Sequence, residues 1–205
     1  FDKAFKWYLK AGNLGNPEAE LKLAQIYEQG NDEVGKDIQK AIKWYRSSAK
    51  QGKIQAQLWL AKIYGQGSLV EKNFDYAFKW YKAAAEKGNL EAQSRLGLHY
   101  IHGRGVKKNF MKAIYWFQKA AKSGNARAQY NLGLLYEKGD GVSKNLRKAV
   151  KWYHRAAEQD HQKAQVNLGW MYVNGMGVKE DFDEAAKWYK RSENLEKPSN
   201  KKHFN

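Results

Sequence analysis

The chain has 205 residues, with 37 Lys and Arg against 21 Asp and Glu, a formal net charge of +16. Cysteine is absent, which excludes a disulfide framework, a thiolate nucleophile and any zinc site built on sulfur. No run approaches the ~18 uninterrupted apolar residues of a membrane-spanning helix, yet 42% apolar residues are enough to bury a core.

Taken along the chain, residues 1–11 read as a helix carrying the pair Trp7-Tyr8. A second helix is predicted from Asn16, with Pro17 at its first position, through Leu23 and Tyr27. A turn at Asn31-Asp32-Glu33 leads to a helix capped by Asp37 and carrying Trp44-Tyr45. The scheme then recurs. The aromatic pair returns at Trp80-Tyr81, Trp116-Phe117, Trp152-Tyr153 and Trp188-Tyr189, a period of 36 residues after a first interval of 37. The Leu/Tyr markers of the first helix keep the same step, at Leu60/Tyr64, Leu96/Tyr100, Leu132/Tyr136 and Leu168/Tyr172.

In the third unit Ala92, Leu96 and Tyr100 share one helical face. Phe74, Ala77, Trp80, Tyr81, Ala84 and Ala85 make the apolar stripe of a second helix. Turns such as Gly103-Arg104-Gly105-Val106 separate the two. Asn73, Asn109, Asn145 and Asp181 are N-cap types for second helices, as Asn89 and Asn125 are for first helices.

A single pair cannot bury both stripes, so the units must stack. The fold class predicted is all-α: a right-handed α/α superhelical solenoid of stacked antiparallel helix pairs. Residues 1–15 are read as the second helix of a truncated preceding repeat. Five repeats follow at 16–51, 52–87, 88–123, 124–159 and 160–194, then a polar, basic tail at 195–205. The lone helix at 1–11 creates the expectation that the natural array extends N-terminally. The change from Ala84-Ala85 to Ser192-Glu193 creates the expectation of a terminal cap.

The residues Ala92, Leu96-Gly97, Tyr100, Gly103, Gly105-Val106, Ala113, Trp116-Phe117, Ala120-Ala121 and Gly124-Asn125 resemble the Sel-one-like repeat family, a branch close to tetratricopeptide repeats. Departures are local: Ala61 for the Gly after the repeat Leu, Ser68 for the second turn Gly, Asp160 for the closing Gly. The resemblance implies a non-catalytic protein–protein interaction scaffold. It also brings to mind adaptors in bacterial signalling, envelope biogenesis, host interaction and endoplasmic-reticulum degradation complexes.

Most aromatics follow the repeat, and the tryptophan stripe is read as core. Six do not: Trp59, Tyr76, Tyr115, Tyr130, Trp170 and Phe204. On the first helices, positions two and five residues either side of the repeat Leu point away from it. By analogy with tetratricopeptide arrays this is the concave wall. In repeats three to five it carries Leu98, Ile101, Tyr130, Leu134, Val166, Trp170 and Val173, flanked by Arg127, Lys163 and Glu137. An apolar patch with Tyr and Trp anchors and a charged rim suits a protein or peptide partner. Asn131 and Asn167 could hydrogen-bond an extended backbone. The alternatives are that the superhelix buries these residues or that the tail covers them.

The second helices carry a basic ridge, Lys43, Lys79, Lys151 and Lys187. It is read first as a solvated face, and second as a surface for an acidic protein, an anionic membrane or, least of all, nucleic acid. His99 and His102, at i and i+3, form the one pair with metal-like spacing, without a third ligand. No catalytic residue, metal or cofactor is assigned. No Asn-x-Ser/Thr sequence occurs, and the Lys- and Asn-rich repeats look bacterial; the resemblance, many of whose bacterial members are exported, implies a periplasmic or secreted location over a cytoplasmic one.

Overall fold

The computed structural model describes residues 2–30 and 33–194. Among them all regular structure is helical: α1 (Asp2–Asn13), α2 (Pro17–Gln29), α3 (Ile38–Lys50), α4 (Ile54–Gln66), α5 (Phe74–Glu86), α6 (Leu90–His102), α7 (Phe110–Lys122), α8 (Ala126–Lys138), α9 (Leu146–Ala157), α10 (Gln162–Val173) and α11 (Phe182–Asn194). Two compact units divide them. The first, Phe1–Lys108, holds α1–α6; the second, Asn109–Asn205, holds α7–α11. Each is a stack of short antiparallel helices, the all-α solenoid arrangement. The basic tail at 195–205, with Phe204, lies outside the described residues, as do Asn31 and Asp32 of the first turn.

Helix starts follow cap chemistry. The side chains of Asp37, Asn73, Asn109 and Asn145 each accept from the backbone N–H three residues on, and Asp181 does so from Glu184. Asn16, Asn89 and Asn125 cap first helices in the same way. Lys53 heads α4 with no side-chain cap bond, and His161 replaces the asparagine before α10. At the turns the second glycine is compulsory for two reasons. Gly105 has φ +67° and Gly177 φ +77°, and a Cβ on either would collide with the backbone opening the second helix two elements earlier, at Phe74 or Leu146. The helix register puts Leu69, not Ser68, at this position in the second repeat; Leu69 is exposed and lacks the left-handed φ. Asp160, by contrast, keeps the left-handed conformation of the glycine it replaces, at φ +59°. Its carboxylate is held by Arg191.

The core sits between the two helices of each pair. Leu23, Leu60, Leu96, Leu132 and Leu168 are fully buried, each contributing about 1.5–3 kcal/mol of transfer free energy. A second recurring feature is polar. Gln57, Gln93, Gln129 and Gln165, again 36 residues apart, each donate from Nε2 to a carbonyl near the end of the preceding second helix: Ala49, Ala85, Ala121 and Ala157, at 3.0–3.1 Å. These bonds tie adjacent pairs together, using the second lone pair of carbonyls that also accept from the turn N–H three residues on.

The tryptophan stripe is core with one correction. Trp80, Trp116 and Trp188 are buried and Trp44 and Trp152 half-buried, but Trp7 is 68% exposed. Trp44 packs on Gly12 of α1, the preceding second helix.

Candidate functional site

The first-helix face assigned to binding is only partly open. Leu21 and Ser94, two residues before the repeat Leu, are buried at 5% and 1%. A first helix is flanked by second helices on both sides, as α2 is by α1 and α3 and α4 by α3 and α5, so the strip left to solvent is narrower than a half-cylinder. Leu98 and Ile101, in the first unit, are half-buried on α6.

The remaining assigned residues come together in the second unit, on α8 and α10. Val166 and Trp170, one helical turn apart, are 42% and 43% exposed. Beside them Tyr130 and Leu134 pack against the unit's core and stay half-buried. The Tyr130 ring stacks on His161 at 4.7 Å and tilts against Tyr153 at 5.8 Å. Asn167 draws both phenols downward, against the burial that raises them. Asn131 donates to the Arg127 carbonyl at 2.8 Å, so part of its amide serves its own helix. Val173 is half-buried, and Arg127 and Lys163 are exposed. Burial first, then the Arg127 and Lys163 cations, hold His161 below the ordinary imidazole value.

A buried hydrogen-bonded node lies beneath this face. Tyr153 donates its hydroxyl to Glu137. Burial first, and then that carboxylate, push the Tyr153 phenol far above its usual value. The first unit holds the same node one residue type changed. Glu28 accepts from the Tyr45 hydroxyl at 2.5 Å and from Trp59 Nε1 at 2.7 Å, and Trp59 stacks on Tyr45 at 3.9 Å. Trp59 is therefore structural. Tyr76 stacks on Tyr64 at 5.1 Å while its residue stays exposed. Tyr115 stands exposed, with Lys119 over its ring.

Sequence reasoning missed both nodes because it sorted residues by helix face. The signal was available: Glu28 and Glu137 hold the same position in α2 and α8, and Tyr45 and Tyr153 in α3 and α9.

Lys43, Lys79, Lys151 and Lys187 are all exposed on second helices. Lys187 pairs with Glu184 at 2.5 Å, which raises its pKa. His99 and His102 do not form a joint site. His99 is buried with Nδ1 2.6 Å from the Arg104 carbonyl, while His102 is exposed. Among the described residues no group of three or more His, Asp or Glu could hold a metal ion, and no helix is long and apolar enough to cross a membrane.

Comparison with known proteins agrees with this geometry. The Sel1 repeat model matches residues 1–16, 17–53, 54–89, 90–125, 126–161 and 162–196. A protective antigen present in uropathogenic Escherichia coli, which displays a Sel1-like repeat fold, is 36% identical with a TM-score of 0.86 over 93% of this chain. The chain spans only 41% of that protein. A Sel1 repeat protein from Oxalobacter formigenes is 34% identical with a TM-score of 0.81, covering 95% of this chain and 79% of its own. An immunity protein from Pseudomonas aeruginosa is 25% identical with a TM-score of 0.56, covering 94% of this chain and 74% of its own. No curated protein sequence matches the chain. Sel1 repeat solenoids are typically non-catalytic and generally act as protein-interaction scaffolds. Matched by the repeat along nearly its whole length, the chain belongs to the Sel1 repeat family.

Proposed function

We propose that this chain is a non-catalytic scaffold that takes a protein or peptide partner on the α8/α10 face of the second unit. The observation that carries the reading is the exposure of Val166 and Trp170 on α10, beside half-buried Tyr130 and Leu134. Folding leaves their apolar area uncovered, and burying it against a partner is favourable. The Tyr130 ring is held by stacking on His161, so it meets a partner preorganised. Arg127 and Lys163 rim the patch and favour an acidic flank on the partner. Leu98 and Ile101, half-buried in the first unit, form no part of this core reading.

The test is capture from bacterial lysates at moderate salt with wild type and Trp170→Ala, followed by titration of the captured protein. Trp170 is the cleaner substitution, because Tyr130 also supports His161 and Tyr153. Loss of the anchor is expected to cost about 2 kcal/mol of binding, roughly 30-fold in affinity. Equal affinity for wild type, Trp170→Ala and Tyr130→Ala/Trp170→Ala would reject the face. Binding that collapses with added salt and survives these changes would move the site to the lysine ridge.

A further inference from the structure

The node built from Glu28, Tyr45 and Trp59 has a counterpart one repeat later in the same unit. There the three positions are Gly65 on α4, Tyr81 on α5 and Arg95 on α6. The tyrosine stays, the Trp59 donor becomes a guanidinium, and the carboxylate is gone. In the last pair Tyr189 is likewise kept without the acid, but there Val173 puts an apolar side chain at the acid position. At Gly65 the acid has left and no side chain stands in its place.

Its absence leaves room. A cavity of about 540 Å³ is lined by Gly65, Tyr81 and Arg95 together with Lys62 and Arg104, a volume within the roughly 300–1,000 Å³ range of ligand pockets. A Cβ on Gly65 would meet only the Ala77 methyl at 3.6 Å, ordinary contact, so nothing else within 4 Å blocks a side chain at its root. Lys62, Arg95 and Arg104 outnumber the one acid in the lining, Glu91. Glu91 approaches Arg95 Nε only to 3.7 Å, beyond hydrogen-bond distance, and that buried Nε has no hydrogen-bond partner. Leu58, Trp59, Phe74 and Leu98 supply apolar wall. Burial, aided by the nearby Arg104 and Arg95 cations, keeps His99 below the ordinary imidazole value.

We propose that the Gly65 cavity is a carboxylate-binding site: it takes an Asp or Glu side chain from a protein partner in the place that Glu28 occupies one repeat earlier. The fold itself shows which chemistry the node takes, since its two filled versions in this chain hold a glutamate against the tyrosine hydroxyl. Arg95 provides the charge-assisted donor, and Lys62 and Arg104 the steering charge. A side chain is favoured over a chain terminus because the filled nodes receive their carboxylate on a two-methylene stem. The site belongs to the first unit and does not depend on the α8/α10 reading.

The test uses the full chain and three pentapeptide probes, Ac-ALELA-NH2, its neutral twin Ac-ALQLA-NH2 and the free acid Ac-ALQLA-OH, titrated by NMR. The acidic probe is expected to bind about tenfold or more tighter than its neutral twin. That preference should vanish in Gly65→Glu, which fills the site from within, and in Arg95→Gln. It should persist in Tyr130→Ala/Trp170→Ala. Independently of any probe, Gly65→Glu should melt above Gly65→Gln at low salt. Equal binding of the acidic and neutral probes, including none by either, overturns the proposal. So does an acid preference that survives Gly65→Glu, or a Gly65→Glu variant that melts below Gly65→Gln. Tight binding of the free acid overturns the side-chain assignment in favour of a chain terminus.

Discussion

The two units build the same node under different steric terms. In the first, Tyr45 and Tyr81 belong to pairs whose first helices carry Ala24 and Ala61 at the position after the repeat Leu. In the second, Tyr153 and Tyr189 lie over Gly133 and Gly169. A Cβ on Gly133 would collide with the Tyr153 ring, and one on Gly169 would come within 2.9 Å of Tyr189. The second unit therefore draws its tyrosines into the first-helix backbone. It is also the unit whose α10 leaves Val166 and Trp170 in the open. The lesson is that a repeat consensus tolerates small exchanges, Gly for Ala or Glu for Gly, and each exchange moves a cavity or a ring.

The strongest way to break this comparison is Gly133→Ala. Alanine is the better helix former by about 1 kcal/mol, yet steric conflict with Tyr153 should outweigh that gain and destabilise the protein by about 1–2 kcal/mol net. Urea unfolding reads the sign directly, and a net stabilisation would show that the ring gives way freely. Next in size is Tyr→Phe at the two nodes. Tyr153→Phe removes the hydroxyl that Glu137 accepts from and should lose about 1 kcal/mol, because half-buried Glu137 can turn to water. Tyr45→Phe should lose less, because Glu28 keeps the Trp59 N–H. Equal losses would mean that Trp59 adds nothing to its node.

The smallest effect at neutral pH is His99→Leu, which gives the first unit the kind of apolar side chain that Ile26, Ile63, Leu135 and Met171 supply at this position. Burial lowers the folded-state pKa of His99. Its contribution is therefore complete above the unfolded value of about 6.5 and is lost as pH falls through the lowered folded value. The leucine variant should flatten the acid side of the first unit's stability profile, read by amide hydrogen exchange in α5 and α6. His161 in the second unit shifts the same way, so exchange in α8 and α10 should keep its acid dependence. An unchanged slope in α5 and α6 would assign that dependence to other groups.

Much of the architecture was legible in the residues. Caps at Asp37, Asn73, Asn109 and Asn145 and the buried leucines could be read directly, because capping and helical periodicity are local properties expressed within a few residues. The chemistry between helices was less visible. Trp59 looked like a leftover aromatic until Glu28 and Tyr45 were seen beside it, 31 and 14 residues away in the chain. Leu21 and Ser94 were expected on an open face that the flanking second helices cover. Trp7 was expected in the core with the other tryptophans, yet it stands exposed.

The sequence by itself determined the helix pairs, their caps and the 36-residue step, since each follows from backbone hydrogen bonding and from burying one stripe per helix. Only the tertiary structure decided which outward positions stay open, where Glu28 and Glu137 find their tyrosines, and that Gly65 leaves a basic cavity. Those outcomes depend on side chains from three different helices meeting at one point. Spacing along a single helix carries no record of that meeting.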